Sequence, residues 1–447
     1  MKKPSISGLT FFTLCLAWLA SPAGSLLAVP RVQRTILPNG LVLLVSEEHS
    51  LPFVTLQILM DSGSRRDPPQ GGGLAQLTAK GLLLGTAKRT APEMNETLDF
   101  MGATLNASCG RDYATFKLRV LKKDLDAGLE LLMETVTQPT FPEEEVRREI
   151  ERTRGAIESA EDKPDEVAQK AFWETLFAKG PYGHPVEGTV ESLSGITREE
   201  IVAFHTTYYH PNNAIMVIAG DVTVDEIEAR ILPRLGGWAR GEAPQEPFKD
   251  SWEKGQRTIK IDRAITQAHV IIGHIGVSRE NPDYYALTVM NYILGGGGFS
   301  SRLVEEIRNK RGLAYAVASF FEPAKYQGPF EIVLQTKNSS AREAISLALD
   351  QVGRMREEPV SEKELEGAKK YLVGSFPMRF DTQAKLANFL AQVEYFGLGL
   401  DYPARYPSLI GSITAEEVLR VARAYLHPED RILVVVANLK EAGMDDR

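Results

Sequence analysis

Cysteine is scarce in this chain of 447 residues: Cys15 and Cys109 are the only two, so a disulfide-stapled scaffold is excluded. An excess of positive charge is also absent, because 51 Lys and Arg residues stand against 59 Asp and Glu residues and give a formal net charge of −8. This balance argues against a broad surface for nucleic acid or for anionic membranes. With 43% hydrophobic residues, the composition is that of an ordinary globular protein of more than one core.

The N-terminus has the pattern of an export signal. Two lysines precede an apolar stretch, residues 9–20, which ends at Ser21. This pattern predicts a signal peptide over residues 1–28, with the mature chain beginning between Gly24 and Arg31, and a periplasmic or secreted protein. The alternative is an uncleaved anchor, but the apolar stretch is shorter than the roughly 20 residues that a membrane span needs. We therefore expect no membrane span after cleavage of the leader.

The chain contains two copies of one pattern, separated by 217 residues. A Thr followed by two acidic residues, a His-Pro pair and a β-branched run occur over residues 196–219 and again over residues 413–436. In both copies the Thr predicts the start of a helix, the His-Pro pair its end, and the β-branched run a buried strand. The two beginnings correspond more loosely, residues 34–36 with residues 257–259.

The repeat predicts two homologous α+β halves. The N-terminal half covers residues 29–235 and the C-terminal half covers residues 257–447. Between them, residues 236–256 are rich in Gly, Pro and charge without periodicity, which is typical of a linker. Residues 143–160 predict a long helix in the middle of the first half.

Several short motifs occur in the order that is typical of one peptidase family. They are Pro38-Asn39-Gly40-Leu41, Gly63-Ser64-Arg65, Gly73-Leu74-Ala75, Gly85-Thr86, Gly102-Ala103-Thr104-Leu105-Asn106-Ala107, Pro181-Tyr182-Gly183 and residues 208–213. On these motifs the chain resembles the insulinase and mitochondrial-processing-peptidase family of zinc metallopeptidases, in its short form. The resemblance implies an α+β fold of two tandem α/β-sandwich halves, each an antiparallel sheet packed with helices. It also implies that the chain forms half of a clam-shell chamber for unfolded peptides.

The zinc site of that family needs His-x-x-Glu-His on a helix and a further Glu downstream. Here Gln76 and Lys80 stand at the two His positions, Ala79 at the Glu position, and Ala156, 76 residues after Lys80, at the downstream position. This set cannot hold zinc or generate a zinc-bound water, so we expect no cofactor in this chain and an inactive first half. Glu149 matches an acid beside the family's zinc ligand; with no ligand to orient, we expect it on a solvated helix face.

Signatures of other catalytic sites are absent from the sequence. The seven histidines include no i, i+4 pair, and His269 and His274, five apart on a predicted strand, point to opposite faces. We expect hydrogen-bonded structural roles for the histidines. A stand-alone hydrolase has little support, because Gly-x-Ser-x-Gly is missing and Cys109 has no evident catalytic setting.

The second half keeps a pair of residues to which the resemblance assigns a role in catalysis. Arg308 and Tyr315 are seven residues apart, like the family's pair that holds the substrate carbonyl and stabilises the tetrahedral oxyanion. Both side chains donate hydrogen bonds, which suits developing negative charge.

Two further features resemble substrate-binding elements of the family. Gly295, Gly296, Gly297 and Gly298 resemble its glycine-rich loop, for which a mobile loop or close approach to a peptide is plausible; a plain turn before a helix is the alternative. Asn106 matches the strand beside the zinc site, along which an extended substrate pairs in active relatives. The alternative for Asn106 is a role in the fold alone.

The leading hypothesis is a metal-free subunit that pairs with a zinc-carrying homologue and completes its site for unfolded peptides. Zinc is expected in that partner. A catalytically inert peptide-binding or scaffold protein that keeps only the fold is the alternative, and the sequence leaves a homodimer open. No nucleic-acid partner is expected.

Overall fold

Two β-sheets, one from each half of the chain, organise the fold. The computed structural model describes residues 31–235, 237–244, 252 and 254–445, so the predicted signal peptide and part of the predicted linker lie outside the described residues. The strands of the first sheet are β1 (Gln33–Ile36), β2 (Val42–Glu47), β3 (Phe53–Met60), β4 (Thr104–Cys109), β5 (Ala114–Leu121) and β6 (Ala214–Gly220). Those of the second sheet are β7 (Arg257–Asp262), β8 (Gln267–Ile275), β9 (Ala314–Phe321), β10 (Pro329–Lys337) and β11 (Ile432–Ala437).

The two sheets share one topology, which confirms the internal repeat. Their strand orders are β1-β2-β6-β3-β5-β4 and β7-β11-β8-β10-β9. In each sheet one neighbouring pair is parallel, β2 with β6 and β7 with β11, and the other pairs are antiparallel. The sheets are therefore mixed, although antiparallel pairing dominates.

The match between residues 34–36 and residues 257–259 is wrong by one strand. Residues 34–36 lie in β1, an exposed edge strand that pairs only with β2, whereas β7 pairs in parallel with β11. The counterpart of β7 is thus β2, which pairs in parallel with β6. A turn over residues 37–41 folds β1 back onto β2, where Leu37 N–H donates to Leu41 O at 2.9 Å.

Fourteen helices are assigned within the part of the chain that the structure describes. The first half contains α1 (Leu74–Gly81), α2 (Ala91–Met101), α3 (Leu125–Thr137), α4 (Glu143–Ala160), α5 (Pro164–Leu176), α6 (Val190–Gly195), α7 (Arg198–Tyr208) and α8 (Val224–Ile231). The second half contains α9 (Tyr284–Asn291), α10 (Ala341–Glu357), α11 (Glu362–Ser375), α12 (Gln383–Tyr395), α13 (Tyr402–Gly411) and α14 (Ala415–Tyr425).

Local signals in the sequence fix the ends of the repeated helices. Thr197 and Thr414 are the N-cap residues of α7 and α14, and each forms a capping box with the Glu three residues later. Each helix ends just before a His-Pro pair, where proline removes a backbone donor. The strands that follow, β6 and β11, are almost entirely buried, as predicted.

Each half sends one helix onto the sheet of the other half. Helix α5 packs on β8 and β11 of the second sheet, and its Phe172 and Trp173 join Ile271 and Val434 in one hydrophobic cluster. In return, α12 packs on β3 and β6 of the first sheet. Each sheet is thereby covered by helices of both halves, and the chain from Arg31 onward forms one compact unit. The predicted fold class, two tandem α/β halves, is confirmed.

No helix among the described residues combines the length and the apolar character that a membrane crossing requires.

Candidate functional site

The positions that replace the zinc motif lie on helix α1. The helix begins after Gly73, which has a left-handed φ of +98°, and the Asp67 carboxylate accepts the N–H groups of Gly73 and Ala75 at 2.9 and 2.7 Å. Gln76 is buried, and Lys80, one turn later on the same face, is partly exposed. Asp67 therefore caps a helix in which an amide and an ammonium group stand at the positions of the family's two histidines.

Glu149 does not lie on a solvated helix face, contrary to expectation. Its side chain is 3% exposed on α4, which packs against α1. The Lys80 Nζ lies 3.5 Å from Glu149 Oε1, and the Arg152 guanidinium forms an ion pair with Oε2. The packing of α4 on α1 turns Glu149 inward, and the two cations neutralise its charge there. An ion pair thus occupies the face on which active relatives would hold a metal.

These residues do not fit zinc. Lys80 brings a competing positive charge, Gln76 offers one weak oxygen, and Ala79 and Ala156 have no ligand atom. Elsewhere in the described ranges, one group of three side chains brings metal-ligand atoms within 4.8 Å of one another: His427, Glu429 and Asp430. That group follows α14 in the other half, and Asp430 already accepts the N–H of Gly255 at 2.8 Å.

Cys109 and His274 lie in surroundings that disfavour a nucleophile or a metal ligand. Burial raises the pKa of the Cys109 thiol, so its reactive thiolate is disfavoured. His274 is buried, and its Nε2 accepts the N–H of His427 at 3.0 Å. Burial lowers the pKa of His274 to about 4, which keeps the ring neutral at physiological pH.

Arg308 and Tyr315 lie at the two ends of a tight turn in the second half. Arg308 is on a π-helical segment, Val304–Asn309, and Tyr315 is the second residue of β9. The turn is closed by hydrogen bonds of 2.9 Å from Gly312 N to Arg308 O and from Leu313 N to Ile307 O. Both side chains are exposed, Tyr315 to 72%. The turn thus presents two hydrogen-bond donors to solvent.

Arg308 has no carboxylate within ion-pair distance in the described part of the chain, unlike the cations around it. Lys310 pairs with Glu306 at 2.6 Å, and Arg311 pairs with Glu343 at 3.3 Å. The Arg308 guanidinium lies 4.9 Å from the ring centroid of Phe299 instead. A cation held by an aromatic ring, with its donors free, is available to an external acceptor.

An open depression of about 340 Å³ adjoins this cation. Its lining is mostly apolar and includes Gly298, Phe299, Val304, Arg308, Ala316 and Phe320. Phe299 and Phe320 are 71% and 44% exposed, which is unusual for large apolar side chains. Sequence reasoning missed both phenylalanines; the position of Phe299 directly after the four glycines was the available signal.

The four glycines do not form one loop. Gly295 and Gly296 belong to a π-helical segment, Tyr292–Gly296, that continues α9, and only Gly298 lines the depression with Arg308. A Cβ at Gly295 would lie 2.5 Å from Ser319 Oγ, so this glycine permits close packing on β9. At Gly298 the φ is +55° and the space is open. Close packing thus accounts for Gly295, and the substrate-binding role that the resemblance implies for the segment stays a prediction.

Asn106 lies in the other half of the chain from Arg308. It lies on β4, the edge strand of the first sheet, and its side chain is exposed. Within the described residues β4 pairs only with β5, and the pairing of a substrate strand along its other edge stays a prediction of the resemblance.

Comparison with known proteins finds relatives of both halves. A family model described as "Insulinase (Peptidase family M16)" matches residues 42–190, and one described as "Peptidase M16 inactive domain" matches residues 195–372. A protein named "uncharacterized zinc protease" from Streptomyces coelicolor is 29% identical, over 90% of this chain and 89% of its own length. A protein named "non-peptidase homolog YmxG" from Helicobacter pylori is 27% identical, over 88% of this chain and 91% of its own.

Among solved structures, a peptidase M16 inactive domain from Pseudomonas fluorescens superimposes with a TM-score of 0.86. It is 28% identical and covers 91% of this chain and 98% of its own. These matches span both halves, and the replaced zinc positions lie within the first of them. The chain therefore belongs to peptidase family M16, in its two-domain, non-catalytic form.

Proposed function

We propose that this chain is the metal-free subunit of a heteromeric zinc metallopeptidase. It would pair with a homologous subunit that carries zinc and the complete His-x-x-Glu-His motif. Its own contribution would be Arg308 and Tyr315. One observation carries the proposal: the Arg308 guanidinium is exposed and has no ion pair among the described residues, and the Tyr315 phenol is exposed as well. Both stand in a chain whose zinc positions cannot hold zinc.

The chemistry of the pair suits peptide cleavage in trans. A guanidinium and a phenol O–H can both donate to the carbonyl oxygen of a bound peptide and to the oxyanion that forms from it. The hydrolytic chemistry itself would come from the zinc of the partner. The hydrogen-bonded turn between the two residues fixes their backbone positions before substrate arrives, which limits the reorganisation that binding needs.

The surroundings of the pair suit an extended peptide. Strand β9 is the edge strand of the second sheet, and Tyr315, Ala316 and Phe320 are exposed along it. An added peptide strand would pair its backbone with β9 and place an apolar side chain in the depression beside Arg308. Unfolded peptides offer both features, an unpaired backbone and accessible apolar side chains.

The location of the complex is also a proposal. The pattern of residues 1–28 favours export, so we infer a periplasmic or secreted complex, with the leader removed. The partner would then be an exported homologue.

The test replaces each donor in the assembled complex. We expect Arg308→Ala and Tyr315→Phe to lower peptide cleavage at least about tenfold, because losing one oxyanion donor typically costs about 3 to 4 kcal/mol of barrier. Assembly, measured by size-exclusion chromatography, should be unchanged. Matched controls are Arg311→Ala, a neighbouring exposed arginine, and Tyr371→Phe, an exposed tyrosine on α11. Unchanged turnover in both donor variants would contradict the proposal and favour an inert peptide-binding or scaffold protein.

A further inference from the structure

A cavity of about 600 Å³ lies where the two halves meet, apart from the Arg308 region. Its walls come from the β4–β5 and β9–β10 turns, α5, α12, the starts of α9 and α13, and the segments before α9, before α12 and after α12. We propose that this cavity binds a monoanionic carboxylate with a planar, aromatic body. The proposal does not depend on the subunit function proposed above.

Arg279 supplies the charge for such a ligand. It lines the cavity, is only 8% exposed, and has no carboxylate within ion-pair distance in the ranges that the structure describes. Its guanidinium lies 3.7 Å from the ring centroid of Tyr284, and its Nη2 donates to the Tyr402 hydroxyl at 3.3 Å. Aromatic and hydroxyl contacts compensate only part of the cost of burying a charge. A carboxylate in the cavity would supply the missing counter-charge.

The remaining charges of the cavity leave room for one anion. Arg111 and Arg379 also line it, as do the carboxylates of Asp112 and Glu322, so the lining holds three cations and two acids. Asp112 already accepts from the Tyr182 hydroxyl and, at 2.8 Å, from the backbone N–H of Lys325. Among the lining side chains the formal surplus is one positive charge, which a monoanionic carboxylate would balance.

The aromatic rings of the cavity wall favour a ligand with a planar, aromatic body. Arg111 stacks on Trp173 with its guanidinium carbon 3.6 Å from the ring centroid, and its buried Nε has no hydrogen-bond partner among the described residues. The other aromatic side chains of the wall are Tyr113, Tyr284, Phe389, Phe396 and Tyr402. Such a wall favours a planar ring, and the cavity volume lies in the range of small-molecule sites. A bidentate contact of the carboxylate with Arg279 would fix its orientation.

The test uses a matched pair of probes on the full chain. N-acetyl-L-phenylalanine carries the carboxylate, and N-acetyl-L-phenylalaninamide has the same body without it. By isothermal titration calorimetry we expect the acid to bind with a Kd below about 1 mM and the amide at least about tenfold more weakly. Equal binding of the two probes, or no binding of the acid up to about 10 mM, would overturn the proposal.

Variants locate the binding in the cavity. We expect Arg279→Met to weaken binding of the acid at least about tenfold, because it removes the buried charge. Should this buried variant not fold, Arg379→Gln, whose side chain is exposed at the cavity rim, is expected to weaken binding about threefold or more. Arg147→Gln, an exposed arginine on α4 that pairs with Glu144, should change nothing. Unchanged affinity in the cavity variants would refute the site.

The same assay distinguishes two sources of the carboxylate. A short peptide ending in phenylalanine is titrated with a free and with an amidated C-terminus, in competition with N-acetyl-L-phenylalanine. Competition by the free-acid peptide alone would assign the site to peptide C-termini. Binding of the small acid without competition by either peptide would assign it to a free aromatic acid, and competition by both peptides alike would contradict recognition of a carboxylate.

Discussion

At the residue scale, an ion pair between Lys80 and Glu149 joins the two helices that carry the replaced zinc positions. The sequence alone shows that Gln76 and Lys80 cannot replace two histidines. It could not show that Glu149 is buried, because Glu149 lies at the edge of the apolar stripe formed by Val146, Ile150 and Ile157, and the contact with α1 covers that edge. The Lys80–Glu149 pair depends on how α1 and α4 pack, so it could not be predicted from the sequence.

This ion pair should contribute to stability more than a surface pair does. Lys80→Met keeps the length of the side chain but leaves Glu149 Oε1 without its cation, so we expect a loss of about 1 to 2 kcal/mol in the free energy of unfolding. The control is Lys88→Met, which breaks the exposed Lys88–Glu130 pair and should cost less than about 0.5 kcal/mol. Urea unfolding measures both, and equal losses would show that the pair is merely a surface contact.

Glu331 should make stability depend on pH. This residue of β10 is buried, and Gln169 Nε2 donates to both of its carboxylate oxygens, at 3.1 and 2.8 Å. Burial, together with the charge of Glu322 and against that of Arg111, raises its pKa from 4.5 to about 7. Because the pKa is higher in the folded state, this contribution to stability is complete below about pH 4.5 and is lost as the pH rises through about 7.

The corresponding measurement compares melting temperatures in mildly acidic and alkaline buffer. From about pH 6 to about pH 8.5, the Tm of the wild type should fall by about 1 to 2 °C more than that of Glu331→Gln, which cannot ionise. Parallel Tm profiles of the two proteins would contradict the assigned ionisation.

At the element scale, helix ends and buried strands were predictable, and the glycine segment was not. Capping boxes and His-Pro pairs are local signals, so α7, α14, β6 and β11 are found where the sequence places them. The four glycines resemble a loop because glycine is a poor helix former. The structure continues α9 through the first two of them, since Gly295 packs closely on β9.

Replacing Gly295 by alanine should show whether close packing or backbone flexibility explains this glycine. Gly295→Ala would bring a Cβ to 2.6 Å from the backbone N of Ser319, so we expect a loss of about 1 to 3 kcal/mol in the free energy of unfolding. The matched control is Gly367→Ala in α11, where the space is open and alanine should stabilise the helix by up to about 1 kcal/mol. If Gly295→Ala leaves the free energy of unfolding unchanged in denaturant, close packing at Gly295 is contradicted and a mobile loop is favoured.

At the scale of the whole molecule, the repeat predicted two halves but not the way in which they combine. The patterns of α5 and α12 show that each helix has a buried face, yet nothing local indicates that each covers the other half's sheet. Long-range packing decides this, and a polar cluster at the junction adds to it. Asp61 of the first half contacts Lys325 and the hydroxyl of Tyr395 in the second, at 3.2 and 2.9 Å.

The charge of this junction is set by its arginines and lysine. Burial opposes the ionisation of Asp61, but the positive charges of Arg65, Lys325 and Arg66 outweigh it and lower its pKa to about 2. The carboxylate therefore stays charged over the physiological range and holds the two halves together.

The central claim is that this chain acts with a zinc-bearing partner. The most direct measurement is to purify the tagged chain from its own host under gentle conditions and to assay the eluate on a quenched peptide, with and without a zinc chelator. The account predicts a second chain of similar size, and cleavage that the chelator abolishes. A lone chain without peptidase activity, or cleavage that is indifferent to the chelator, would contradict it.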